Sequence, residues 1–196
     1  MRTLRIRIIL RIVMFDKFIW IKQNSLSPEF CSHLIQKFEK DNRKHQGYAG
    51  FSLNLKVKQS YDLHISTKQD WKDEDHTLFL SLKEATEEYT KIHKKISISH
   101  DKGYQIQRTR PGEFYDWHDD SYSNSTDGFR VLTYIWYLND IQEGGYTEFI
   151  DGTRIQPETG KLLLFPATWT YIHRGVTPEK ETKYICTGWM CNRNES

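Results

Sequence analysis

Apolar and polar positions change period once along this chain, near residue 96. Before that point they recur at helical spacing. Phe30, Cys31, Leu34, Ile35 and Phe38 form one stripe, opened by Ser27-Pro28-Glu29: a capping hydroxyl, a proline at the first helical position and an acid in the first turn. A second helix is expected from Asp75 to about Lys94. Leu78, Phe79, Leu82, Ala85, Tyr89 and Ile92 make its buried face, and Glu84, Glu87, Glu88, Lys91, Lys94 and Lys95 its wet face. His76 and His93, at its ends, read as solvated. Residues 15–21 read as a first strand, 41–50 as a loop, and 51–65 as a stretch holding one or two short strands. His64, with no partner at ligand spacing, reads as structural.

Beyond Ile96 the period is two. Short strands are expected at 104–109, 114–119, 130–139, 146–150, 161–165, 169–174 and 182–191. Pro111-Gly112, Asp127-Gly128, Gly144-Gly145, Asp151-Gly152, Pro157 and Gly160 punctuate them. Two helices followed by seven or eight strands imply a mainly β fold with flanking helices on one face. Strands this short and numerous suit a double-sheet jelly roll of the cupin kind. At 196 residues one domain is expected, with helical support over 14–95 and a β core over 96–192.

The net charge of +2 conceals an asymmetry. Residues 1–22 carry Arg2, Arg5, Arg7, Arg11, Lys17 and Lys22 against Asp16, so the remainder is net −3, which argues against a nucleic-acid-binding body. Residues 1–13 read as a basic extension outside the core, with Met14 a candidate start and an amphipathic membrane anchor the alternative. No apolar run reaches 18 residues, so no transmembrane segment is expected. Cys31, Cys186 and Cys191 are odd in number and lack a CxxC pair, which points to free thiols in a reducing, cytoplasmic setting. Cys31 reads as a buried small hydrophobe, and Cys186 should face away from any site on the last strand.

Candidate chemistry starts at His118 and Asp120. Two apart in an extended strand, they leave the same face and offer an imidazole and a carboxylate to one metal ion. A second imidazole would complete the two-His-one-carboxylate set that suits Fe(II) and leaves positions open. His173 lies downstream. Gly175 and Pro178 then turn the chain, so His173 is expected to end one strand and Lys183 to open the next, antiparallel and ~4.8 Å away. A dicarboxylate chelating the metal could pair with Lys183 at its far end.

The ordered set resembles the prolyl 4-hydroxylase branch of the Fe(II)/2-oxoglutarate-dependent oxygenases. The matching pieces are Arg110-Pro111-Gly112-Glu113-Phe114-Tyr115 with His118 and Asp120, Leu132 through Asp140, Gly144-Gly145 with Thr147 and Phe149, Gly160 through Pro166, and His173-Arg174-Gly175. Lys183-Tyr184 and Trp189 close the set. The family usually has a tyrosine two residues before the Pro-Gly; here that position is Thr109. The resemblance implies a double-stranded β-helix. It implies Fe(II) on His118, Asp120 and His173, and 2-oxoglutarate on Lys183 and Tyr137. Alternation puts Thr187 and Trp189 on the face of Lys183, where a hydroxyl and an aromatic wall would serve the same cosubstrate. No catalytic residue is expected beyond the metal and cosubstrate ligands. Ascorbate is a candidate reductant.

The expected activity is hydroxylation of a peptidyl proline, coupled to decarboxylation of 2-oxoglutarate by O2, with a peptide or protein as substrate partner. Alternatives are another side chain, a small metabolite or nucleic acid as substrate, or a non-catalytic β-helix binding protein. Trp117 and Asp119 should point away from the metal. Residues 121–127 read as a lid or substrate loop, and 42–65 as a second wall.

Overall fold

The computed structural model describes residues 17–50 and 52–193. The expected extension over 1–13 lies outside the described residues, as do 15 and 16; of the strand expected at 15–21, the described part becomes extended only at Trp20, where β1 (Trp20–Lys22) begins. Helices α1 (Pro28–Lys40) and α2 (Lys72–Ile92) flank strands β2 (His45–Gln46) and β3 (Tyr61–His64). There follow β4 (His100–Asp101), β5 (Gln105–Thr109), β6 (Tyr115–His118), β7 (Ser123–Asn124), β8 (Gly128–Tyr137), β9 (Thr147–Phe149), β10 (Arg154–Ile155), β11 (Leu162–Pro166), β12 (His173–Gly175) and β13 (Lys183–Asn192).

The strands form two sheets. The large one runs β1-β11-β8-β13-β5-β3-β2, with β4 added to β13 and β7 to β8; the small one runs β10-β9-β12-β6. Alternation on β8 shows why both faces are covered. Leu132, Tyr134 and Trp136 point into a core shared with Cys31, Leu34 and Phe38 of α1 and Leu78, Leu82, Ala85 and Tyr89 of α2. Ile135 and Tyr137 point the other way, into a smaller core with Leu163, Phe165 and Phe149 between the sheets. Helices therefore cover the outer face of the large sheet, and the small sheet closes the inner face. This is the double-stranded β-helix. Cys31 and Cys186 are both buried on the helix side, as expected.

Several expectations are corrected. Ser27 does cap α1, its hydroxyl accepting from the Phe30 N–H at 3.2 Å. Helix α2 starts three residues early, because the turn Gln69–Trp71 buries Trp71 and leads straight into it. Phe79 and Ile92 are exposed rather than buried, since the stripe facing the sheet is narrower than the apolar pattern. His93 is not solvated: its ring packs against Tyr89 and Phe18. The loop 41–50 contains β2, paired to β3. Residues 121–127 are a folded hairpin rather than a lid: β7 pairs β8, and the Asn124 carboxamide oxygen accepts from the Thr126 and Asp127 amides. The strand expected at 169–174 begins only at His173, because the Tyr171 amide bonds back to the Thr168 carbonyl in a turn. Hence His173 opens its strand and does not end it.

The largest correction concerns β12 and β13. They are not neighbours in one sheet: β12 lies between β9 and β6 in the small sheet, β13 between β8 and β5 in the large one. His173 and Lys183 approach each other across the gap between sheets.

Candidate active site

His118 ends β6, His173 opens β12, and the two are directly paired in register. Asp120 lies two residues past the end of β6. One ligating atom from each of the three lies within 4.8 Å of the others. Each ring is oriented by its own strand: His118 Nδ1 sits 2.7 Å from the Asp116 carbonyl, and His173 Nδ1 2.9 Å from the Tyr171 carbonyl. A carbonyl can only accept, so both Nδ1 atoms carry the proton and both Nε2 lone pairs remain for a metal. Asp120 Oδ2 accepts from Thr133 Oγ1 at 2.7 Å and lies 3.7 Å from His173 Nε2.

The electrostatics suit a cation. Burial, with the neighbouring His173 second, pushes His118 down to about 4, so its ring is neutral at neutral pH. Burial works against ionisation of Asp120, yet His173, His118 and the Thr133 hydroxyl outweigh it, and the carboxyl stays below its ordinary range. Tyr115 lies flat on His118, with 3.5 Å between ring centroids and 12° between planes. Two imidazoles with free Nε2 atoms and a carboxylate, braced from behind, fit Fe(II).

The same cavity extends to Lys183, Thr109, Thr147, Ile185, Thr187 and Trp189. Alternation on β13 thus holds: every second residue from Lys183 to Trp189 lines the cavity. Lys183 is 4% exposed and donates to the Gly145 carbonyl at 2.9 Å. No carboxylate partner faces it among the described residues. Burial lowers it to about 8. The Gly144-Gly145 turn allows this contact: both glycines have positive φ, and a Cβ on Gly144 would lie 2.3 Å from the Thr177 carbonyl. A buried cation with only a carbonyl partner fits the far carboxylate of a dicarboxylate cosubstrate.

Other expected positions fall as follows. Tyr137 is fully buried behind the cavity, and its hydroxyl donates to Thr147 Oγ1 at 2.7 Å, so Thr147 is the group presented to a ligand. Thr187 Oγ1 donates to the Tyr134 carbonyl at 2.7 Å. Trp189 walls the cavity, and the Arg130 guanidinium lies 3.5 Å above its ring. Trp117 points outward beneath Arg174. Asp119, expected to point away from the metal, is not among the residues lining that cavity; it lines a second one of about 300 Å³ that shares Gln107, Tyr115, Asp120 and Trp189 with the first. The second wall expected from 42–65 is there, formed by His45, Tyr48, Lys58, Asp62 and His64. Sequence reasoning missed Thr133, Thr147 and Tyr115. The first two were findable by extending strand alternation; the stacking of Tyr115 on His118 was not.

Residues 104–191 match the family model described as the 2OG-Fe(II) oxygenase superfamily. Every residue of the metal and cosubstrate cavity lies in that span. Residues 104–191 form a 2OG-Fe(II) oxygenase domain, similar to that of prolyl 4-hydroxylases. Among curated relatives of this oxygenase, Probable prolyl 4-hydroxylase 3 of Arabidopsis thaliana is 24% identical over 87% of this chain and 68% of its own length. Probable prolyl 4-hydroxylase 9 of the same plant is 25% identical over 51% of the chain, and the chain spans only 44% of that relative. Solved structures share the fold. Viral collagen prolyl hydroxylase from Paramecium Bursaria Chlorella virus-1 superposes with a TM-score of 0.69 at 20% identity, over 90% of this chain and 97% of that one. A Pseudomonas putida prolyl-4-hydroxylase gives 0.68 at 16%, over 90% and 94%. A Trichoplax adhaerens prolyl hydroxylase, solved with a hypoxia inducible factor peptide, gives 0.69 at 18%, over 89% and 83%. No helix of the oxygenase among the described residues is long and apolar enough to cross a membrane.

Proposed function

We propose that this oxygenase hydroxylates a peptidyl proline, using Fe(II), O2 and 2-oxoglutarate. One observation carries the reading: His118, Asp120 and His173 converge at one end of a cavity whose other end holds the buried, carboxylate-free Lys183. When bound, iron with 2-oxoglutarate supplies oxidative decarboxylation coupled to C–H hydroxylation. The chain supplies the rest. The Asp116 and Tyr171 carbonyls fix both imidazole tautomers, and Thr133 fixes the carboxylate. Lys183 holds the far carboxylate of the cosubstrate, with Thr147 and Thr109 as neighbouring hydroxyls. Ile185, two residues along β13, makes that end apolar, which limits water and strengthens the charge pairing. Tyr115 and Trp189 stand where the first cavity opens into the second, and there the substrate carbon would be presented.

The peptidyl proline is supported by the prolyl hydroxylase relatives and by a second cavity of peptide-accepting size. The free, buried cysteines suit a reducing, cytoplasmic setting, where ascorbate or another reductant keeps iron ferrous. The test is incubation of proline-containing peptides with the protein, Fe(II) and 2-oxoglutarate. The expected result is a gain of about 16 Da on proline with stoichiometric succinate. Succinate without a modified peptide would redirect the search to another side chain or a metabolite. Neither product would favour a non-catalytic binding protein.

A further inference from the structure

The far wall of the second cavity has polarity that the metal site does not use. His45 on β2 and His64 on β3 face each other there, with 6.0 Å between ring centroids and 22° between planes. His45 Nδ1 is taken by the Gln46 carbonyl at 3.0 Å, which leaves Nε2. The His64 side chain makes no hydrogen bond to any described residue. The acid on the same strand as His64 is already engaged: Asp62 is buried, paired with Lys58 Nζ at 2.7 Å, and accepts from Gln105 Nε2 at 2.6 Å and Ser60 Oγ at 2.8 Å. Asp119 lies toward the metal end, its Oδ1 accepting from the Ser121 amide. The two imidazoles, with the Tyr48 hydroxyl beside His45, are therefore the available donors of the far wall.

We infer that His45 and His64 form an anion subsite that reads an acidic side chain of the substrate, close in sequence to the residue presented at the metal. This rests on the proposed peptide substrate. The surroundings of His64 favour an anion. Although the His64 side chain reaches solvent, desolvation against the cavity wall first, then His45, Lys68 and Lys58, hold the ring below its ordinary value against the opposing pull of Asp62. A carboxylate between the rings would relieve that repulsion and take up a charge-assisted hydrogen bond from each. An amide of the same shape would not.

Linkage fixes the sign. A carboxylate is ionised throughout pH 6–8, while imidazole in general gains charge as pH falls. Preference for an acidic over an amide peptide should then grow from pH 8 to pH 6. Comparing the two peptides at each pH cancels any effect of pH on the metal.

Two readouts decide it. In the full chain loaded with Zn(II), ring resonances of His45 and His64 are titrated with a capped Glu-Pro peptide and a capped Gln-Pro peptide. Both rings should take up protons at higher pH with the first and not with the second. Absence of that shift overturns the subsite. In the iron-loaded protein, KM should be roughly tenfold lower for the Glu peptide at pH 6. That ratio should fall toward one in His64→Leu and in His45→Gln. Equal KM values, or a ratio unchanged in both variants, also overturn the subsite. Ring shifts without hydroxylated proline would leave the anion subsite standing and remove the peptidyl-proline reading instead.

Discussion

Thr133 Oγ1 donates to Asp120 Oδ2 at 2.7 Å, tying the carboxylate of the candidate metal cluster to the inner face of β8. Both groups are buried, and the donor comes from the opposite sheet to His118 and His173. The hydroxyl therefore sets which way the carboxylate points. Thr133→Val keeps the shape and removes the donor. It should leave the fold intact and weaken iron binding about 10- to 100-fold, the usual cost of losing such a support. Titration of the metal-free protein with Fe(II) under anaerobic conditions measures it. Unchanged affinity would remove Thr133 from the site. Asp120→Ala should abolish iron-dependent conversion of 2-oxoglutarate altogether.

Gly188 lies between the cavity residues Thr187 and Trp189, and the helix side of β13 leaves it no room. A Cβ there would lie 2.2 Å from the Tyr134 hydroxyl and 2.5 Å from the Gly103 carbonyl. Tyr134 donates to that same carbonyl at 2.8 Å, so it cannot retreat without breaking the bond. Gly188→Ala should cost about 1–3 kcal/mol of overpacking and lower the Tm by several degrees. A variant melting like the parent would show that β13 yields more easily than its packing implies.

Much of this was legible in the chain. The period-two runs gave β5, β6, β8, β9, β11 and β13 to within about two residues, and alternation on β13 correctly put Lys183, Ile185, Thr187 and Trp189 on one face. Spacing could not say which sheet a strand joins. His173 and Lys183 looked like partners across a turn because Gly175 and Pro178 lie between them. In fact residues 176–182 carry the chain from the small sheet to the large one. The two-residue strands β2, β4, β7 and β10 left no period to detect. His64 looked structural for a related reason: its neighbour His45 is nineteen residues away and meets it only through β2–β3 pairing.

The basic segment 1–13 should be dispensable for the oxygenase core. Strand β1 closes the edge of the large sheet against β11 using only Trp20–Lys22, and the family match begins at residue 104. A chain beginning at Met14 should melt within about 2 °C of the parent and bind iron equally well. A collapse in Tm would place residues 1–13 in the fold. Equal melting with lost binding to anionic lipid vesicles would identify an anchor.

Lys183 should be a liability until its cosubstrate arrives. An unfolded lysine titrates near its ordinary 10.5, and burial lowers the folded value to about 8. Between those values the unfolded chain holds a proton that the folded chain has released, so ligand-free stability rises as pH climbs through this window. Below pH 8 the full penalty applies, on the order of 3 kcal/mol from that difference. Lys183→Met removes the charge while keeping the length. The ligand-free variant should melt higher than the parent at pH 7, and the two should converge toward pH 10. The variant should also lose 2-oxoglutarate affinity about 10- to 100-fold, the worth of one sheltered charge-assisted pair. In the parent, KM for 2-oxoglutarate should rise above pH 8 as the ammonium is lost. Lys183→Arg, which keeps its charge, should show no such rise, although its longer planar group raises KM at every pH. A parent KM flat to pH 9.5, with Lys183→Met no more stable than the parent at pH 7, would mean that Lys183 is neither strained by burial nor the cosubstrate's anchor.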